Sequence, residues 1–339
     1  MLLYNEVAKQ TINLLQVHKD DWEMRYKDYL AGITKGAKNC LQLITPVEKP
    51  LFIYTTVTNE KSTNPKMHLR FMGQDVGRLS QKNKTVFLNI SIKDYINNVN
   101  SFVDYNINSG NYDWETSPEA KNFRNFFYNY SGVKNNTKNE HTVESAFLTD
   151  LEKAQSSDKA LKPVEINGKR FQMPTPFRAS KLHNVSVKDD LGQDDKFSYA
   201  GRSGGGIDIL ACRIKDNHSF LTVIELKDKK DSNEPPEKVM YQAIAYATFI
   251  HELVRSEKAN GIDWYNLFLN NEKRKIPDEL VIKCVVAMPG LNVVALDKEL
   301  GKNNLNVLMP FNNSKDKLEL LFINLDDKTY GVKDYSEKL

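Results

Sequence analysis

Two runs of apolar and β-branched residues, Ile207–Ile214 and Phe220–Lys227, flank the turn-like segment Lys215-Asp216-Asn217-His218. Runs of this kind read as strands, and the turn chemistry between them reads as a hairpin. Along Leu221-Thr222-Val223-Ile224-Glu225-Leu226-Lys227 the side chains alternate faces. Glu225 and Lys227 therefore share a face with Val223, while Ile224 and Leu226 share the other. A strand apolar on both faces reads as buried. A carboxylate and an ammonium in such a strand are costly unless something pairs them. The preceding run repeats the anomaly, with Asp208 set between Ile207 and Ile209 in GGGIDIL.

A hairpin brings Asp208, near the start of one strand, close to Glu225, near the end of the other. Two carboxylates on adjacent strands offer hard oxygen ligands suited to Mg²⁺ or Mn²⁺. The backbone carbonyl of Leu226 can add a ligand. Lys227, on the same face as Glu225, can orient a water and offset charge on a phosphate. On spacing alone a second reading stays open, in which Glu225 and Lys227 form a structural ion pair in an unrelated α/β fold.

Three neighbouring features bear on the choice. Gly204-Gly205-Gly206 precedes Asp208 and permits close backbone approach; alone it is also an ordinary flexible turn. Glu144 falls on one helical face with Leu148 and Leu151, which turns it inward or leaves it at the edge of an amphipathic stripe. Gln242 and Tyr246 are four residues apart on a later helix and share a face. There the glutamine can hydrogen-bond the site and the tyrosine can reach a phosphate or stack on a base, or both can be plain helix packing.

Around these residues the chain reads as a helix over Thr142–Ala154 with Thr142 as its N-cap, then a short strand over Arg170–Met173. The two apolar strands follow. A helix then opens at Pro235-Pro236 and runs to about Arg255, before a strand over Leu280–Met288 and another over Leu318–Leu325. The core order is helix, strand, strand, strand, helix, strand. The runs GGGIDIL, TVIELKDK and YQAIAYA, in this order, resemble the PD-(D/E)XK nuclease superfamily, and the Gln-x-x-x-Tyr helix is similar to that of its RecB-like and lambda-exonuclease-like branches. The resemblance covers about Thr142–Met288. It implies that Asp208 and Glu225 bind a divalent metal, Mg²⁺ or Mn²⁺, and that Lys227 serves the attacking water. It further implies that Glu144 is the acid of the first core helix, often a metal contact through water, and that Gln242 and Tyr246 support the site and the nucleic acid. Arg213, Lys229 and Lys230 are candidates for backbone phosphate contacts, or else a solvated charged turn.

The expected fold is α/β: a restriction-endonuclease-like core in residues 140–339, with a mixed central sheet flanked by helices, preceded by a smaller α+β domain in residues 1–139. The boundary is placed at the polar run SGVKNNTKNE. In the first domain Glu6–Leu15, Trp22–Ala31 and Glu119–Tyr130 read as helices, and Leu51–Val57, Met67–Met72 and Thr85–Ile92 as strands. Its 18 Lys+Arg against 13 Asp+Glu give a slight positive excess, its only hint of substrate or partner recognition. The expected activity is metal-dependent phosphodiester hydrolysis, in DNA before RNA. The alternative is an inactive nuclease-fold module that binds nucleic acid or protein.

Other chemistries find no footing. The six histidines form no HxxH or HExxH spacing, and there is no Gly-x-Ser-x-Gly elbow. Cys40, Cys212 and Cys284 form no CxxC pair, so neither a zinc ribbon nor a disulfide framework is indicated. A reducing, cytoplasmic compartment is the expectation. The start MLLYNEVAKQ lacks a signal-peptide pattern, and no stretch approaches the roughly 18 apolar residues of a membrane span. Expected partners are nucleic acid and, as a homodimer, a second copy of the chain, with no membrane.

Overall fold

The computed structural model describes residues 4–40, 51–57, 67–83, 85–91, 108–129, 140–153, 161–166, 168–179, 197–215, 218–228, 234–270, 273–303, 307–308 and 315–336. Over these the protein is mixed α/β, with seven α-helices and two mixed sheets. Among the described residues no helix is long and apolar enough to cross a membrane. The chain divides into a larger unit, Met1–Lys27 with Ala146–Val164 and Met173–Leu339, and a smaller one, Asp28–Ser145 with Glu165–Gln172. This division is not a single cut near residue 139, and the polar run expected to mark the boundary lies outside the described residues.

Helices α1 (Tyr4–Val17) and α2 (Lys19–Cys40) come first, followed by β1 (Leu51–Thr56), β2 (Met67–Phe71), β3 (Gln74–Lys82), β4 (Thr85–Ile90) and β5 (Gly110–Asp113). Helices α3 (Pro118–Tyr128) and α4 (Glu140–Lys153), then β6 (Lys162–Pro163) and β7 (Arg170–Pro174), complete the first half. In the smaller unit, β1 to β5 form an antiparallel meander, and β7 joins it parallel to β1, with Tyr54 opposite Arg170. Met67, Leu69 and Phe71 alternate inward along β2 and pack with Trp114, Phe123 and Phe127 in one core. Sequence periodicity did not reveal β3. A bulge beside Leu69 and Arg70 puts an extra residue into β3, so its two apolar residues, Val76 and Leu79, fall three apart instead of two. The β2–β3 turn carries positive φ at Met72 and Gly73, the geometry of a type I′ hairpin turn. A Cβ on Gly73 would lie 1.9 Å from the carbonyl oxygen of His141, so the start of α4 docks where only glycine fits. Thr142 is inside that helix and is not its N-cap; its hydroxyl donates to the Met72 carbonyl at 3.5 Å.

The larger unit continues with β8 (Gly206–Ile207), β9 (Ile209–Lys215), β10 (His218–Leu226), α5 (Pro236–Arg255), α6 (Gly261–Phe268) and β11 (Val281–Pro289). Then come α7 (Val293–Lys302), β12 (Val307–Leu308), β13 (Lys317–Leu325) and β14 (Val332–Tyr335). Its sheet runs β12-β13-β11-β10-β9-β6, with β14 beside β13. Strand β10 is antiparallel to β9 and parallel to β11. A parallel neighbour requires a crossover, and α5 supplies it, packing back on β10 and β11. The helix is buried almost all round, because α1 and an aromatic cluster cover its outer side. Phe249 meets Trp22, Tyr26 and Phe177 edge-on or tilted, and Tyr4 meets Tyr241 edge-on. This burial is why the first 27 residues belong with the C-terminal sheet.

A buried ionic joint fixes the far end of α5. Asp316 accepts from Arg255 through both oxygens, at 2.8 and 2.6 Å, and from the Leu280 amide at 2.8 Å. His251 Nε2 lies 2.8 Å from Asp316, and its Nδ1 lies 3.1 Å from Glu252. Burial alone would lower the His251 pKa, but the hydrogen bonds to Asp316 and Glu252 outweigh it and raise it above the ordinary value. Burial likewise opposes ionisation of Asp316, yet His251 and Arg255 hold that carboxyl well below the usual range. A raised histidine pKa contributes stability that is complete below the unfolded value of about 6.5 and is lost as pH rises through the folded one. Urea denaturation from about pH 6 to about pH 9 should therefore show a falling stability in the wild type. In His251→Gln that fall should shrink; an unchanged slope would remove the ionic joint from the account.

Candidate metal centre

The ladder between β9 and β10 pairs Ile209 with Ile224 and goes no further, because the chain bends at Asp208 between β8 and β9. The apolar run predicted as one strand over Ile207–Ile214 is thus broken at its acid. Past this point Leu226 has no strand partner on the β9 side, and its amide donates instead to Asp208 Oδ2 at 2.9 Å. In a strand the N–H and C=O of one residue point to the same side. The Leu226 carbonyl therefore also faces the Asp208 side, whereas the next amide, Lys227, donates to Ala287 of β11 at 3.1 Å.

A carboxylate oxygen of Asp208 lies within 4.8 Å of one from Glu225. Opposite ligands of one ion with oxygens at ~2.1 Å are at most ~4.2 Å apart, so a shift of a few tenths of an ångström lets both carboxylates reach a shared cation. The donor set is all oxygen, which fits Mg²⁺ or Mn²⁺. Lys227 Nζ donates to Glu225 Oε1 at 3.0 Å, with side-chain exposures of only 12% and 5%. Burial of this pair follows from the strand itself: β10 lies between β9 and β11, under α5.

The glycine run approaches other backbone closely. Thr175 N–H donates to the Gly205 carbonyl at 2.8 Å, and Gly205 N–H to the Phe177 carbonyl at 3.0 Å. A Cβ on Gly204 would lie 1.9 Å from the Thr175 carbonyl oxygen. A Cβ on Gly205 would lie 2.8 Å from the Tyr246 hydroxyl, its nearest neighbour. The glycines thus let the segment entering Asp208 lie flat against Thr175–Phe177 and under α5.

Not every predicted residue joins this arrangement. Tyr246 is buried and its ring stacks on Phe177, with centroids 6.2 Å apart and planes 13° apart. A base cannot stack where Phe177 already lies, and the hydroxyl faces Gly205. Gln242 is buried on α5. Arg213 pairs with Phe220, five residues along β9 from Asp208, which is about 17 Å at strand rise and outside reach of the carboxylates. Lys229 and Lys230 lie outside the described residues. Glu144 belongs to the smaller unit, where Arg70 approaches it at 3.8 Å and His141 at 3.5 Å. That bond to Glu144 raises the His141 pKa. Arg70 is also bound by Asp75, at 2.9 Å, on the same unit's sheet.

Two acids passed unnoticed in the sequence. Asp228, directly after Lys227, is buried. Glu140 opens α4 one helical turn before Glu144, on the same face. The i, i+4 spacing was the available signal for Glu140; nothing in the sequence distinguished Asp228 from the solvated charges after it. Compared with family models, curated proteins and solved structures, the chain has no match in any of the three.

The close packing gives a stability test. Gly204→Ala should cost about 1–3 kcal/mol, because the new methyl meets backbone that cannot move away. Gly205→Ala should also destabilise, and adding Tyr246→Phe should recover part of that loss but none of the loss in Gly204→Ala. Urea unfolding of the single and double variants checks both; equal rescue of both would contradict the packing described.

Proposed function

We propose that this protein is a metal-dependent nuclease that hydrolyses phosphodiester bonds, with DNA as substrate. The observation that carries the reading is the approach of the Asp208 and Glu225 carboxylates to within 4.8 Å, with the Lys227 ammonium 3.0 Å from Glu225. Glu225 and Lys227, both largely buried, have no packing role that leucines would not fill more cheaply. The order β9, β10, α5, β11, with β9 antiparallel and β11 parallel to β10, supports the strand, strand, helix and strand part of a restriction-endonuclease-like core; the strand beside β9 in this sheet is β6, and the expected core strand over Arg170–Met173 lies instead in β7, next to β1.

In this reading Asp208, Glu225 and the Leu226 carbonyl hold Mg²⁺ or Mn²⁺. The bound ion would supply Lewis acidity at the phosphate and lower the pKa of a coordinated water. The protein's own part is orientation. Leu226 N–H holds one oxygen of Asp208 and so fixes the direction of the other. Lys227 stands where it can direct a water and offset negative charge that develops on the phosphate. The buried strand pair keeps these charges in a medium where they act strongly.

The test is incubation of the purified protein with linear, circular and single-stranded DNA and with RNA, in Mg²⁺, Mn²⁺ or EDTA. Cleavage should require the metal, and Asp208→Asn, Glu225→Gln and Lys227→Ala should each lower it about 100-fold or more. Glu144→Gln in the same assay tests the sequence expectation that the first core helix contributes an acid. Metal-independent cleavage, or cleavage by Lys227→Ala at the wild-type rate, would overturn the catalytic reading. Metal-independent binding without cleavage of any substrate would favour a nuclease-fold binding module instead.

A further inference from the structure

We propose that Lys227 is a resident counter-ion of the carboxylate pair, that a divalent cation reaches Glu225 by displacing it, and that the substrate phosphate receives the displaced ammonium. This rests on the metal reading above. Two carboxylates within 4.8 Å of each other repel in a buried setting, and an ammonium against one of them offsets that repulsion. Lys227 is placed to do so by the strand: it shares a face with Glu225 two residues away, and its Nζ is already in hydrogen-bond contact at 3.0 Å.

The same contact opposes a metal. A dication held by Glu225 and Asp208 would stand against the Lys227 ammonium, with little water between them, since both side chains are largely buried. Like charges in such a place repel strongly. The lysine therefore weakens metal binding for as long as Glu225 is its partner. A phosphodiester brings a negative charge to the site and gives the ammonium a new partner. Metal and phosphate then each raise the affinity for the other, because coupling between two ligands is reciprocal. The lysine offsets half the charge of the empty carboxylate pair, and the loaded site forms more readily with substrate present.

Mn²⁺ binding to the full chain, followed by calorimetry and by electron paramagnetic resonance, reads this without any turnover. Lys227→Met removes the charge and keeps the apolar stem; it should bind Mn²⁺ at least about tenfold more tightly than the wild type. Lys227→Arg, which keeps the charge, should not gain affinity. A DNA duplex with uncleavable phosphate analogues should tighten Mn²⁺ binding in the wild type and do so less in Lys227→Met. Wild type and Lys227→Met binding Mn²⁺ equally, with Asp208→Asn not binding, would overturn the counter-ion role and leave the metal site standing. Binding by neither wild type nor Lys227→Met would overturn both. Matching circular dichroism spectra and melting temperatures across the variants confirm that folded proteins are being compared.

Discussion

Strand β10 runs past the end of its partner β9, and the Asp208 side chain takes the backbone amide that no strand is there to take. Buried amides must be bonded, so an acid at the bend of β8 into β9 answers a need of the backbone before it serves any chemistry. The consequence is positional. Asp208 is pinned to Leu226, between Glu225 and Lys227, and the carboxylates of adjacent strands meet at the open end of the ladder. Close packing of Gly204 and Gly205 against Thr175–Phe177 holds the bend, and the burial of α5 holds β10 and β11 beneath it.

The rest of the larger unit reinforces this arrangement at a distance. Helix α5 has to return from the end of β10 to the start of β11, because the two strands are parallel. Its buried length is enclosed by aromatics from α1, α2, α6 and the Phe177 segment, and its last turn is locked to the start of β13 through Asp316, His251 and Arg255. A buried network of this kind is costly if broken on one side, since it leaves a charge without its partner. It also gives α5 a fixed length and register over the sheet.

The sequence showed most of the larger unit because its elements obey simple periods. The strands at Ile209–Lys215, His218–Leu226, Val281–Pro289 and Lys317–Leu325 all announced themselves as apolar runs, and the Pro235-Pro236 pair marked the start of α5. Where a local irregularity intervened, the reading failed for a physical reason. The bulge in β3 shifted Val76 and Leu79 out of alternation, and the Gly73 turn let α4 begin at Glu140, two residues ahead of Thr142. Tyr246 carried a residue type that suits nucleic acid, but a side chain's type does not say what covers it. Phe177 lies against its ring.

Sequence alone determined that Asp208 lies in an apolar run, that Glu225 lies in an apolar strand and that Lys227 shares its face, because alternation is a property of the extended backbone. It also showed the helix and the two long strands that follow them, α5, β11 and β13, and not the shorter elements between. Only the tertiary structure decided that the ladder with β9 stops at Ile224, two residues before the end of β10, so that Asp208 bonds the Leu226 amide and the Leu226 carbonyl turns to the same side. Only packing decided that the glycines serve close backbone contact and that Glu144 is engaged by Arg70 and His141. These outcomes depend on which distant segments meet, and periodicity within one segment contains no information about its partner.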